Sequence, residues 1–238
     1  MRRLQKIPRY TSCNTKLLGG IELTDSLSFV AGYQEIFIRE NYKFSLTGKE
    51  PFIIDCGANI GLSIIYFKKN YPHARIIGYE PDIKIFSVLK KNVEKLGLDR
   101  ITLHNKAVGK QKAIMNFDSE GGFSGRLTDR LTPAGIPVEI EMLSTVMDGK
   151  IDFLKIDIEG TELDVLTEIR PKLNLVEKMF IEYHSFPDKP QCLDHILTLL
   201  KEEGFRTHIK EAYAAPHPFI EIPLVAGMDN QLEIYAYR

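Results

Sequence analysis

At 238 residues the chain has the length of one α/β domain, and 44% hydrophobic with 26% charged residues is ordinary globular composition. With 31 basic against 32 acidic residues the net charge is -1, which excludes nucleic acid or another polyanion as the default partner. The basic start MRRLQKIPRYTSCNTK has no apolar core of signal-peptide length and no apolar run is long enough to span a bilayer, so a cytoplasmic protein with no membrane partner is expected.

In chain order, residues 1–50 stand outside any strand–helix rhythm, and SLSFVAGYQEIFIREN (26–41) reads as a helix lying over one end of a sheet. Its aromatics Phe29, Tyr33 and Phe37 read either as an ordinary packing stripe or as a pocket wall. From residue 51 the pattern alternates: FIIDCG (52–57) strand, LSIIYFKKNY (62–71) helix, ARIIGYE (74–80) strand, a helix over 83–97 closed by Gly97, and ITLHNKAV (101–108) strand. Segments 112–117 and 138–143 read as strands of a hairpin or edge around a polar loop, in which Gly121, Gly122 and Gly125 are candidate hinges of a lid. A strand over 151–160 leads into a helix begun by Thr161, with Asp164 three residues on in the manner of a capping box. Segment 179–184 is a strand, 192–204 a helix closed by Gly204, 205–210 a strand and 232–238 the last strand. Alternating βαβα with continuous apolar strands predicts an α/β fold whose parallel sheet carries helices on both faces. Residues 51–238 are read as the domain and 1–50 as an extension packed on it.

Cys13, Cys56 and Cys192 are odd in number and lack C-x-x-C spacing, which suggests neither a disulfide framework nor a zinc site. Cys56 reads as a small buried filler inside FIIDCGANIG.

That loop has Gly-x-x-x-Gly spacing where a dinucleotide fingerprint has G-x-G-x-x-G. Asp55, Gly57, Ala58, Asn59 and Gly61 sit beyond a strand's carboxyl end, where open sheets bind ligands. An acid ahead of the loop is awkward for a pyrophosphate and welcome to a partly cationic ligand. Glu80, followed by Pro81, ends the next strand about 20 residues on, where an acid commonly takes ribose hydroxyls. Together these favour an adenosyl ligand; a nicotinamide dinucleotide bound by an oxidoreductase, and a non-catalytic binding module, are the alternatives.

FIIDCGANIG, GYEPD (78–82), NKAVG (105–109), FLKIDIEGTE (153–162) and IEYH (181–184), in this order, resemble the FkbM family of S-adenosylmethionine-dependent methyltransferases. The resemblance covers about residues 50–210. It implies a class I methyltransferase (Rossmann-like) fold, a seven-stranded, mostly parallel sheet with an antiparallel last strand, and methylation of an oxygen on a small-molecule or glycan acceptor. It also implies that Asp55, Gly57, Ala58, Asn59 and Gly61 surround the cofactor's amino-acid part, that Glu80 and Pro81 meet its ribose, and that Asn105 and Ala107 meet its adenine. Lys106 stands where such enzymes more usually carry an acid, which leaves the Ala107 backbone as the contact.

A hydroxyl acceptor must lose a proton, through a general base or a metal ion. Asp157 and Glu159, two apart on one face of an extended segment, and Glu182 and His184 on the next strand, are the candidates. Asp157 is also placed near the cofactor. His184 is the expected general base, with an ordinary pKa of about 6.5. The alternative is magnesium held by Asp157, Glu159 and either Glu182 or His184. Lys155 carries no role in this reading, and homo-oligomers are left open.

Overall fold

The computed structural model describes residues 1–46, 48–119, 125–128 and 135–238. Its main sheet contains β1 (Phe52–Cys56), β2 (Arg75–Tyr79), β3 (Ile101–His104), β4 (Phe153–Ile156), β5 (Lys178–Ser185), β6 (Arg206–Ala214) and β7 (Asn230–Tyr237). The spatial order is β6-β7-β5-β4-β1-β2-β3. β3, β2, β1, β4 and β5 pair parallel, while β7 runs antiparallel to both β5 and β6. This is the seven-stranded, mostly parallel sheet with an antiparallel last strand that the family resemblance implies. Strand order reverses between β1 and β4, the place where open α/β sheets bind ligands.

Successive strand residues point to opposite faces, so a strand covered on both sides is apolar throughout. On one face Ile53 and Ile76 pack with α1 (Ser26–Tyr33), α2 (Leu62–Asn70) and α3 (Ile83–Lys95). On the other Ile54, Cys56, Leu154 and Ile156 pack with α4 (Glu162–Ile169) and α5 (Leu193–Glu202). The N-terminal segment buries Leu4, Ile21, Leu23 and Phe29 in the first of these clusters. Asp25 caps α1 by accepting from the Ser28 amide at 3.0 Å, and also takes Arg9 Nε at 2.9 Å, which fixes residues ahead of the helix. The helix continues into a π-turn, Gln34–Ile38.

Two local readings change. The strand expected over 101–108 ends at His104, because the Asn105 side-chain amide donates to the Glu80 and Pro81 carbonyls (both 2.9 Å) and turns the chain. Ala107–Val108 then joins a second, four-stranded sheet with Ile136–Glu141, Ala113–Ser119 and Gly125–Thr128. The capping box at Thr161 is not formed; its hydroxyl instead donates to the Ile158 carbonyl. Of the expected lid, Gly121 and Gly122 lie outside the described residues. Among the described residues no helix is long and apolar enough to cross a membrane.

Candidate active site

A cavity of about 410 Å³ opens over the carboxyl ends of β1, β2, β4 and β5. Its floor is the loop after β1. Gly57 (φ 86°) and Ala58 both donate their amides to the Tyr79 carbonyl, at 3.1 and 2.8 Å. A Cβ on Gly57 would lie 1.9 Å from the Asp157 carbonyl oxygen, so glycine here is required by the close approach of two strand ends as well as by its φ. Gly57, Ala58, Asn59, Glu80, Pro81 and Ala107 all line the cavity. The Glu80 carboxylate accepts the Asn59 amide at 3.0 Å and the Asp82 amide at 2.8 Å, tying the two ligand-facing loops together. Burial pushes Glu80 up to about 8 despite those donors.

Of the other expected cofactor residues Asp157 also lines the cavity, whereas Gly61, Asn105 and Asp55 do not. Gly61 packs against Leu89, which a Cβ would meet at 2.8 Å, and does not line the cavity. Asn105 is occupied with the two carbonyls that turn the chain. Asp55 is fully buried and takes the Ser63 hydroxyl and the Lys155 ammonium, the latter at 3.3 Å. The cation that Asp55 was expected to meet on a ligand is thus supplied by the protein. Strand alternation accounts for this: Asp55 and Lys155 are register partners on β1 and β4.

Lys155, to which the sequence pattern assigns no role, is the hub of the cluster. Its ammonium lies 3.1 Å from Asp157 Oδ2 and donates to the Gly57 carbonyl at 2.9 Å. Burial works against the charge, but Asp157 and Asp55 outweigh it and hold Lys155 above the ordinary lysine range. The available signal was a lysine inside the apolar run FLKI, where a buried ammonium needs carboxylate partners.

Asp157, Glu159, Glu182 and His184 do converge, but Glu159 arrives by another route. It has φ 57°, so the turn after β4 and not strand alternation brings its Oε2 to 3.7 Å from His184 Nε2. Asp157 Oδ1 lies 3.8 Å from the same nitrogen. His184 Nδ1 is 2.8 Å from Oε1 of Glu162, a buried residue of α4 that sequence reasoning counts only as part of a helix. Burial disfavours the imidazolium, yet Glu159 and Glu162 prevail and hold the His184 pKa well above its ordinary value. These carboxylates favour the protonated imidazole, which sets His184 against the role of general base that the sequence pattern gives it. Glu182 accepts from Gln231 Nε2, and burial and Asp157 push its carboxyl well above the usual range.

The metal reading also changes. Among the described residues, Asp157, Glu182 and His184 offer ligand atoms within 4.8 Å of one another, whereas the sequence reading takes Asp157 and Glu159 with only one of Glu182 and His184. Lys155 already pairs with Oδ2 of Asp157 at 3.1 Å, and His184 brings a ring nitrogen into the set. The donors present therefore do not fit a magnesium ion, which takes oxygen ligands and no adjacent ammonium.

The N-terminal segment supplies the other wall, through Arg9, Ser28, Glu35 and Tyr42. Phe29, Tyr33 and Phe37 form a ring-to-ring packing stripe leading to Tyr66 instead. The signal for Glu35 was a single acid within the apolar segment QEIFI.

Residues 55–207 match the sequence model of the methyltransferase FkbM domain. Methyltransferase 1 of Beauveria bassiana is 25% identical over 237 residues, covering 84% of this chain and 94% of that protein. The 31-O-demethyl-FK506 methyltransferase FkbM of Streptomyces tacrolimicus is 23% identical over 214 residues, covering 73% and 80%. A crystal structure of methyltransferase FkbM from Methylobacillus flagellatus shares the fold, with a TM-score of 0.57 and 18% identity over 82% of this chain. The chain spans 45% of the length of that solved structure.

Proposed function

This chain belongs to the FkbM methyltransferase family, and from that premise we propose that it uses S-adenosylmethionine to methylate a hydroxyl of a small molecule or glycan. The observation that carries the reading is the cavity wall in which Glu80 braces both the Gly57–Asn59 loop and the start of α3, beside the charged cluster on β4 and β5. When bound, the cofactor supplies an electrophilic methyl carbon on a cationic sulfur.

The chain's own residues account for binding and orientation. Glu80 retains lone pairs for the ribose hydroxyls, and the backbone at Gly57 and Ala58 approaches the ligand without side-chain hindrance. Ala107 offers a small flank for the adenine. Asp157, on the cavity wall, meets the ligand's cationic end while Lys155 fixes its rotamer. Glu182, Gln231 and the His184 imidazolium provide acceptors and donors that orient a polar acceptor. The name of the Streptomyces relative specifies an oxygen position on its substrate, which supports an oxygen acceptor here.

The test is transfer of labelled methyl groups from S-adenosylmethionine to a panel pairing each alcohol with its amine analogue. Label is expected in the ether products. Label on amine nitrogen with the alcohols untouched would overturn oxygen as the acceptor atom.

A further inference from the structure

The cavity wall contributed by residues 1–46 includes one face of α1 and the π-turn that follows it. Leu27, Ala31 and Glu35 form one row at four-residue spacing, and Ser28, Gly32 and Ile36 the adjacent row; all six line the cavity. Small residues in the middle leave room for a ligand, and Glu35 is the acid among these six. It sits where α1 passes into the π-turn Gln34–Ile38, a distortion that re-aims the residues it carries. Asp157 and Glu182 line the same cavity.

We propose that Glu35 is the general base that takes the acceptor's proton, so that the N-terminal segment completes the catalytic site. This deepens the methyltransferase reading and rests on it. As the acceptor O–H bond breaks, the proton passes to the Glu35 carboxylate and the oxygen's electron pair forms the bond to the methyl carbon. The carbon–sulfur pair returns to sulfur, which becomes a neutral thioether. Glu35 then gives the proton to solvent. His184 is less suited to this task, because Glu162 holds its Nδ1 at 2.8 Å and, with Glu159 3.7 Å from Nε2, favours the imidazolium.

The surroundings suit Glu35 to the role. Burial raises it to about 7, aided by Glu233 of β7 and Asp157 of the turn after β4, and opposed by Arg39 beyond its own π-turn. Glu182 of β5, Lys155 of β4, Tyr42 and Arg9 line the same cavity. A base whose pKa lies near the working pH transfers protons most effectively.

The deciding measurement needs no acceptor: the Glu35 carboxyl carbon, assigned by difference with Glu35→Gln, is titrated by carbon-13 NMR in full-length protein saturated with S-adenosylhomocysteine. A midpoint near 7 is expected. A midpoint at the ordinary glutamate value of about 4.3 overturns the proposal. Failure of that ligand to bind in calorimetry would instead count against the methyltransferase reading, and the midpoint would then be read on the free protein. Turnover gives the second arm, with methyl glucoside and 4-nitrophenol as probes. Glu35→Gln should slow transfer to the alcohol by about 10²–10⁴-fold while sparing the phenol at a pH where it is already ionised. Equal losses on both would reduce Glu35 to a wall residue and overturn its role as base.

Discussion

Gly57→Ala tests the geometry of the cavity floor. The new Cβ would start 1.9 Å from the Asp157 carbonyl oxygen, whereas Cβ contacts in proteins essentially never fall below 3.0 Å, so the ends of β1 and β4 must part by at least about 1 Å. The left-handed backbone (φ 86°) adds a cost of about 1–2 kcal/mol for a residue with a side chain. Gly204→Ala provides the matched control: it has φ 82° and nothing within 4 Å of the position a Cβ would take, so it carries the backbone cost alone. The difference between the two variants isolates the steric term, about 1–3 kcal/mol by analogy with overpacked cores. At about 2–4 °C per kcal/mol for a chain of this size, Gly57→Ala should melt roughly 2–12 °C below Gly204→Ala. Thermal unfolding followed by circular dichroism measures this. Equal melting temperatures would refute the claim that the two strand ends are in contact through Gly57.

Lys155→Met leaves the Asp55 carboxylate buried without its cation and should cost about 3–5 kcal/mol in urea unfolding, part of which Asp55→Asn in the same chain recovers. A cost below about 1 kcal/mol would show that the ion pair is not what holds β1 to β4 here. Glu80→Ala removes the shared acceptor of the Asn59 and Asp82 amides, and should weaken S-adenosylhomocysteine binding by roughly 10–100-fold, as for leaving buried hydrogen-bond donors unsatisfied. Unchanged affinity would remove Glu80 from the site. His184 has a folded pKa above its unfolded value of about 6.5, so its contribution to stability is full below that pH and is lost as pH rises through the folded value. Glu162→Gln should therefore flatten the alkaline decline in stability, and a slope identical to wild type would contradict the pairing of Glu162 with His184.

The parallel core was legible because its strands, buried on both faces, are apolar at nearly every position, and because Gly97 and Gly204 mark helix ends. The Gly57 loop and Glu80 were legible because both sit at carboxyl ends of strands that the alternation locates. What escaped the sequence depends on rotation and on partners distant in the chain. Asp55 and Lys155 lie far apart in the chain and meet only through strand register. Glu162 is indistinguishable in sequence from any first-turn acid until α4 is docked against β5. Glu35 could not be placed because the face of the N-terminal helix that turns toward the cavity is not the one that carries its aromatics. His184 was read at its ordinary pKa because the carboxylates that raise it come chiefly from a turn and a helix, not from its own strand.

The central claim is that the cavity holds S-adenosylmethionine, and its most direct test is calorimetry of the wild-type chain with S-adenosylhomocysteine and, separately, with nicotinamide adenine dinucleotide. The account predicts one-to-one binding of S-adenosylhomocysteine with a dissociation constant on the order of 1 μM, about -8 kcal/mol, and no heat from the dinucleotide. Binding of the dinucleotide with no heat from S-adenosylhomocysteine would contradict it.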